Sequence, residues 1–285
     1  MIVYQGHEGA YSHLACKHVF PEKSARACAS FHKAMLEVEA GTAELAMIPV
    51  DNSTAGRVEE IYRLIPEMSL HIVAEHFEAV NHCLVGLPGT ALEQIKVVHS
   101  HPQALAQCKD NITRLGMQAQ AKLDTAGAAL EISQMADPTH AAISSRLAAE
   151  LYGLSIIQEN FQDKAGNTTR FIILSHEEQI PPMEPGVDYI TSLLFKVRNI
   201  PASLYKALGG FATNGVNLVK LESYMPGGSL NATQFHVDIE GHVHSESLKL
   251  AIEELTFFVD EVRVLGTYRS HPFRSSNVHR MTAEA

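Results

Sequence analysis

From residue 2 to residue 174, short apolar runs of strand type alternate with helix-type segments, and that alternation leaves few folds open. Strands that alternate with helices argue for α/β units around largely parallel sheets. Residues 2–4 are a short strand. The turn from Gly6 to Ser12 carries two glycines and leads into a helix that ends near Phe20, ahead of Pro21. A helix at 31–38 stops at Gly41, and a strand at 45–50 is interrupted by Pro49. Asp51-Asn52-Ser53-Thr54-Ala55-Gly56 then leads into a helix at 57–65.

The same order repeats downstream. Strands are expected at 79–86, 95–98 and 118–123, and a further short one at 141–143. Pro102 stands near the first position of a helix, where its missing N–H costs nothing, and Gln103 and Gln107 share one face of it. Asp124-Thr125 opens a helix at 126–135, and the last helix of this part ends at Gly153. At 180–187 the composition changes to Pro181, Pro182, Pro185 and Gly186 with few apolar residues, which reads as a linker.

Beyond the linker the pattern differs. Strand at 189–197, helix at 202–211, strand at 216–224, turn at 225–228, strand at 232–240, helix at 245–259 and strand at 262–265 make βαββαβ, the ferredoxin-like arrangement. Residues 269–285 form a polar tail that is expected to fray.

With 285 residues, 46% of them apolar and 19% charged, the chain can bury the cores of about two domains. Its net charge of −10 has the wrong sign for a general nucleic-acid binder. Small anions must therefore be held locally, by backbone N–H groups and a few donors. No run approaches the ~18 apolar residues of a spanning helix, and the start resembles no signal peptide, so a cytoplasmic protein without membrane contact is expected. Cys16, Cys28, Cys83 and Cys108 show no C-x-x-C spacing and read as reduced, buried side chains. The pairs His99/His101 and His242/His244 lack further ligands at metal spacing and read as surface or capping residues, with no metal expected.

The stretch Gly166-Asn167-Thr168-Thr169-Arg170-Phe171 runs straight into the apolar strand Ile172-Ile173-Leu174. Alternation in an extended chain puts Asn167 and Thr169 on one face and Arg170 on the other. Turn chemistry accounts for such a sequence as well as a cleft does. Hydroxyl and amide side chains also stand at four strand-to-helix junctions: Ser12, Asn52 with Ser53 and Thr54, Ser100, and Thr125. Any one of them reads by itself as a plain N-cap. Together they also suit a pocket for a small polycarboxylate, because helix N-termini bind anions without Lys or Arg.

Tyr4-Gln5-Gly6 with Gly9 and Ser12, Ile48 to Ser53, Ser100 to Leu105, and Asn167 with Thr169-Arg170-Phe171 resemble, in order and spacing, the prephenate dehydratase family over about residues 1–175. The resemblance implies a bilobal α/β fold like that of type II periplasmic binding proteins, spanning 1–180. Lobe 1 would be about 1–76 with 171–180, and lobe 2 about 77–170. It implies conversion of prephenate to phenylpyruvate with loss of CO2 and water, without a cofactor. Thr169 matches the family's essential threonine, and Asn52, Ser100 and Gln107 match positions that bind substrate. Ser53, Thr125 and Asn160 stay open between cap and contact, and Arg170 between substrate binding and an ion pair. Asp51 stands where the family usually has Glu. No chorismate-mutase segment is expected ahead of the first strand.

Residues 188–268 resemble an ACT domain, the amino-acid-sensing module found behind the dehydratase. That resemblance implies feedback inhibition by L-phenylalanine, held by Asn199, Ala202, Ser203, Leu204, Glu222 and Ser223 at the seam of a homodimer or a dimer of dimers. Ala202 replaces a glycine and Tyr224 an arginine, so the effector site is expected to be looser or differently shaped. Two other readings fit the same residues: dehydration of arogenate, and a non-catalytic bilobal carboxylate-binding protein.

Overall fold

The computed structural model describes residues 1–225 and 233–275. All but Met225 of the turn expected at 225–228, and the tail beyond 275, therefore lie outside the described residues. The chain forms two compact units, one of Met1–Val58 with His76–Phe171, the other of Glu59–Glu75 with Ile172–Ala285.

In chain order the first part contains β1 (Ile2–Gln5), α1 (Tyr11–Val19), β2 (Ala25–Cys28), α2 (Phe31–Glu39), β3 (Leu45–Asn52), β4 (Gly56–Arg57), α3 (Glu59–Leu64), β5 (His71–Ala79) and β6 (Cys83–Gly86). There follow β7 (Val97–Ser100), α4 (Pro102–Gln107), α5 (Lys109–Arg114), β8 (Gln118–Ala121), α6 (Thr125–Gln134), β9 (His140–Ser144), α7 (Arg146–Leu151), β10 (Ser155–Gln158) and β11 (Thr168–Ser175).

The first unit is built on two sheets, each the centre of a lobe. One has the order β2-β1-β3-β11-β5 with β4 beside β3, the other β10-β6-β9-β7-β8. β1 lies parallel to both β2 and β3, and β7 parallel to both β8 and β9, as strand–helix alternation requires. The second sheet departs from this where β6 pairs antiparallel with β9 and β10. Ala126, Ala128 and Ala129 of α6 are fully buried, so their small side chains let the helix lie close on that sheet.

Several boundaries differ from the sequence reading, each for a local reason. Pro49 does not end its strand, because the pairing of β3 with β1 runs only from Leu45 to Met47 and the missing N–H falls beyond it. The expected strand at 79–86 is two strands joined by residues 80–82, where the chain passes from one sheet to the other. The Asn52 junction leads into a hairpin, with Asn52 paired to Gly56, and α3 starts only at Glu59. β5 was not anticipated at 71–79.

Gly9 sets the contact between the lobes. Its φ is +87°, and a Cβ there would lie 2.7 Å from Ala148 Cα at the start of α7. Ser145, the N-cap of α7, donates its hydroxyl to the Gly9 carbonyl over 2.5 Å. Tyr152 likewise donates to the Glu8 carbonyl over 2.6 Å. A side chain at position 9 would separate these surfaces.

In the second unit, β12 (Tyr189–Val197), α8 (Ser203–Thr213), β13 (Leu218–Tyr224), β14 (Gln234–Glu240), α9 (Glu246–Thr256) and β15 (Val259–Arg269) form an antiparallel sheet of order β13-β14-β12-β15. Alternate residues Leu193, Phe195 and Val197 face Ala207 and Phe211 of α8 and Leu248, Ala251 and Leu255 of α9 in its core. This is the βαββαβ order expected, with β15 extended at both ends.

Residues 59–75 belong to this unit for physical reasons. Arg263 of β15 donates to the carbonyls of Ile65 and Met68 over 2.9 and 2.7 Å. Gly266 leaves no room for a Cβ, which would fall 1.9 Å from the Ile72 carbonyl oxygen. The expected linker is tied down as well: the Pro182 carbonyl accepts from the Tyr189 hydroxyl, and the Pro181 carbonyl lies 2.8 Å from His242 Nε2. Nor is the start of the tail frayed. Arg269 ends β15, and Arg274 forms a two-point pair, 2.7 and 2.8 Å, with the buried carboxylate of Glu75.

Candidate active site

A cavity of about 220 Å³ lies between the two sheets of the first unit. One wall comes from strand ends of the first sheet: Gln5, Asn52, Thr169 and Phe171. The other comes from His82 ahead of β6, from α4 with His101 before it, Gln103 in its first turn and Gln107 at its end, and from the start of α6 with Asp124 and Thr125. Tyr11 and Ser12, at the start of α1, complete it. Neither lysine nor arginine lines it among the described residues.

Asn52 and Thr169 form its most ordered part. Asn52 Oδ1 accepts from the backbone N–H groups of Thr54 and Ala55 over 3.0 and 2.8 Å. That fixes which end of the amide is oxygen, so its Nδ2 must donate to Thr169 Oγ1, at 2.9 Å. An oxygen already accepting there keeps its own hydrogen for another direction. Thr169 has no second protein partner among the described residues and lines the cavity.

A second chain of polar groups lies beside it. Gln107 Oε1 accepts from Asn167 Nδ2 over 2.8 Å and lies 2.9 Å from His82 Nε2. With the amide in this orientation His82 carries its proton on Nε2, and the Tyr11 hydroxyl lies 2.9 Å from both its Nδ1 and the Asn81 carbonyl, to which it donates. Burial lowers the His82 pKa, only partly opposed by the Gln107 bond, so the ring is neutral at pH 7. Asn167 Oδ1 is buried without a protein partner among the described residues.

Residues 167 and 169 share the cavity face while Arg170 does not: its guanidinium lies 3.6 Å from Asp51. Three of the four junctions also reach the cavity, through Ser12, Asn52 and Thr125. Ser100 does not. It is fully buried, and its hydroxyl donates to the Ile143 carbonyl over 2.6 Å. Ser53 Oγ accepts from the Thr168 N–H at 2.9 Å, while Ser53 N–H donates to the Thr168 carbonyl at 2.9 Å, and so staples the Asn52 loop to β11. Asn160, at φ +50°, lines a separate cavity.

The expected anion grip of the helix ends is partly taken up from within. Asp124 caps α6 by accepting from Gly127 N–H at 2.6 Å, and its other oxygen lies 2.5 Å from His7 Nδ1. Sequence reasoning missed Asp124, His82 and Tyr11 as cavity residues. The signal for His82 was a polar side chain inside an apolar run. His99 and His242, read as surface or capping residues, are buried: His99 Nε2 lies 2.7 Å from His140 Nδ1. His101 does cap α4. All four cysteines are free and buried, and burial pushes the Cys16 and Cys108 thiols up to about 12. No helix among the described residues is long and apolar enough to cross a membrane.

In the second unit Ala202 precedes α8 in the left-handed region, φ +59°, and Ser203 is the first helical residue. Asn199 lies in the loop before it, and Leu204 packs on the core. Glu222 and Ser223 lie on β13. Tyr224 is buried with its ring 6.0 Å from that of Tyr62, so it fills the interior of the unit.

The first unit is thus a two-lobed α/β unit whose central cavity carries an amide-held hydroxyl and, among the described residues, neither lysine nor arginine. A family model described as prephenate dehydratase matches residues 2–179, and the chain belongs to that family. The bifunctional N-acyl-homoserine lactone acylase/prephenate dehydratase of Komagataeibacter europaeus is 47% identical over 96% of this chain and 97% of its own. Arogenate dehydratase/prephenate dehydratase 1 of Arabidopsis thaliana is 38% identical over 94% of this chain and 71% of its own. Among solved structures, the L-Phe complex of prephenate dehydratase from Arthrobacter aurescens superposes with a TM-score of 0.87 at 27% identity, covering 99% of this chain and 98% of that one.

Proposed function

We propose that this chain converts prephenate to phenylpyruvate, in a catalytic region spanning 1–180, and that Thr169 assists departure of the hydroxyl. The observation that carries the reading is the bond from Asn52 Nδ2 to Thr169 Oγ1, which leaves the threonine hydrogen free for the cavity. In the reaction the bond from ring to carboxylate breaks, its electron pair makes the ring aromatic, and the C–O bond opposite releases hydroxide. The hydroxide takes up a proton through Thr169, which recovers one from solvent. A positioned donor of this kind contributes roughly 10²–10⁴-fold.

The absence of lysine and arginine from the lining, among the described residues, supports the same reading. A ring carboxylate locked to a lysine or arginine would be stabilised as the anion and would lose CO2 more slowly. Gln107 and Thr125, with Asn52, supply uncharged donors instead. Ser100, Ser53 and Arg170 support the site through the backbone or an ion pair rather than from the cavity.

The second unit we read as an ACT domain at 188–268 through which L-phenylalanine inhibits, with the effector held by the Asn199–Leu204 loop and by Glu222 and Ser223 in a homodimer. The L-Phe named in the Arthrobacter aurescens structure supports an effector of this kind. Ultraviolet detection of phenylpyruvate from prephenate, with and without millimolar L-phenylalanine, tests both parts. No product removes the dehydratase reading, and turnover indifferent to L-phenylalanine removes the regulatory one.

A second reading, arogenate as substrate, is favoured by Asp124, whose carboxylate lines the cavity and suits an ammonium group. Its engagement with His7 and Gly127 weighs against that role. Kinetics with both substrates decide.

A further inference from the structure

The geometry points to a second site in the first unit: a divalent transition-metal site, of the zinc class, made by His18, His76 and Glu78. His76 and Glu78 are two apart on β5 and so share a face, and His18 reaches them from the last turn of α1. Glu78 Oε2 lies 2.8 Å from His18 Nδ1 and 2.9 Å from His76 Nε2, and the three ligand atoms are all within 4.8 Å of one another. Two imidazole nitrogens and a carboxylate oxygen converging on one point are the donor set of an open zinc centre, which keeps a fourth position for water or another ligand.

The charge balance favours a cation. The Glu78 side chain is only 8% exposed, and its partners among the described residues are these two imidazoles. A carboxylate this nearly buried is costly without a compensating charge, which a divalent ion would supply. His18 and Glu78 also line a cavity of about 470 Å³, separate from the one with Thr169, where Glu150 and Glu159 add carboxylates against the guanidinium of Arg146. An acidic opening draws cations in, and it gives the free coordination position room.

The present spacing is that of hydrogen bonds. Metal bonds of about 2.0–2.1 Å place neighbouring tetrahedral ligands about 3.3 Å apart, so the two Glu78–imidazole pairs must each open by roughly half an ångström. Half-exposed His18, at a helix end, can move that far. The site is independent of the dehydratase reading, since none of the three residues lines the Thr169 cavity.

The test uses the full chain, stripped with a chelator and titrated with Co2+ alone, then with Zn2+ as competitor. One equivalent should give the visible d–d absorption of a four- or five-coordinate Co2+ site, which Zn2+ abolishes. His18→Ala, an exposed change that spares the fold, and His76→Gln should each weaken binding at least tenfold and leave turnover of prephenate unchanged. Zn2+ should raise the melting temperature of the parent chain more than that of His18→Ala. Binding equally strong in parent and variants, or no d–d absorption at one equivalent, overturns the proposal and leaves the cluster as paired hydrogen bonds.

Discussion

Asn52 Nδ2 donates to Thr169 Oγ1 across 2.9 Å while Asn52 Oδ1 is held by two backbone N–H groups, so the direction of the threonine hydroxyl is set from the loop that follows β3. Asn52→Asp keeps the two backbone bonds and turns the third group from donor into acceptor. Thr169 would then donate to the carboxylate and withdraw its hydrogen from the cavity. Turnover of prephenate should fall by at least ~10-fold in Asn52→Asp and ~100-fold in Thr169→Ala, with Thr169→Ser keeping most of it. Steady-state kcat measures all three. Turnover in Asn52→Asp equal to the parent's would show that the orientation of this hydroxyl does not matter.

Acid should destabilise the chain early. His13, His82, His99 and His101 all have pKa values lowered chiefly by burial. The unfolded chain binds protons at these sites from about pH 6.5 downward while the folded one resists, so the stability they leave intact above that pH is lost as it falls through the lowered values. Urea midpoints at pH 7.5, 6.5 and 5.5 should fall slightly over the first step and more steeply over the second. A midpoint that holds between 6.5 and 5.5 would sink the idea.

The lobes, the strand–helix alternation and the residues facing the cavity from β11 were legible because they follow from periodicity. Residues 167 and 169 share a face in any extended chain. What escaped was set by distant partners. Nothing near Ser100 in the sequence says that Ile143 will take its hydroxyl, and nothing near Glu78 says that His18 will meet it. The compact units divide within β5 and β11, at positions 75 and 171, because a strand can leave one packed region and enter another without any change in its composition. Tyr224 looked like an altered effector residue, whereas Tyr62, far away in sequence, makes it part of a core.

Gly9 is the position least able to accept a side chain in the first unit. Gly9→Ala combines a left-handed backbone, φ +87°, with a methyl placed 2.7 Å from Ala148 Cα, and backbone cannot move aside as a flexible side chain does. The two effects together should cost about 2–4 kcal/mol. Equilibrium urea denaturation reads this directly. Loss of prephenate turnover should accompany it, because the same loop leads into Tyr11 and Ser12 of the cavity. A variant as stable as the parent would mean that the lobes are not held at this contact.

Ala202 offers the opposite case, a strained residue that a smaller one would relieve. It sits at φ +59° and ψ +22° immediately before α8, makes no side-chain bond to cap that helix, and has a Cβ that crowds its own carbonyl in this conformation. Glycine removes the clash of roughly 1–2 kcal/mol and returns part of it through the greater freedom of the unfolded chain. The net gain for Ala202→Gly should be about 0.5–1 kcal/mol, a rise of about 1–3 °C in Tm for a unit of this size. The same change restores the residue type usual for the effector loop, so under the ACT reading inhibition by L-phenylalanine should begin at a lower concentration. Scanning calorimetry and an inhibition curve on one preparation separate the two effects. A melting temperature below the parent's would show that the left-handed turn at 202 is not a source of strain, whatever happens to inhibition.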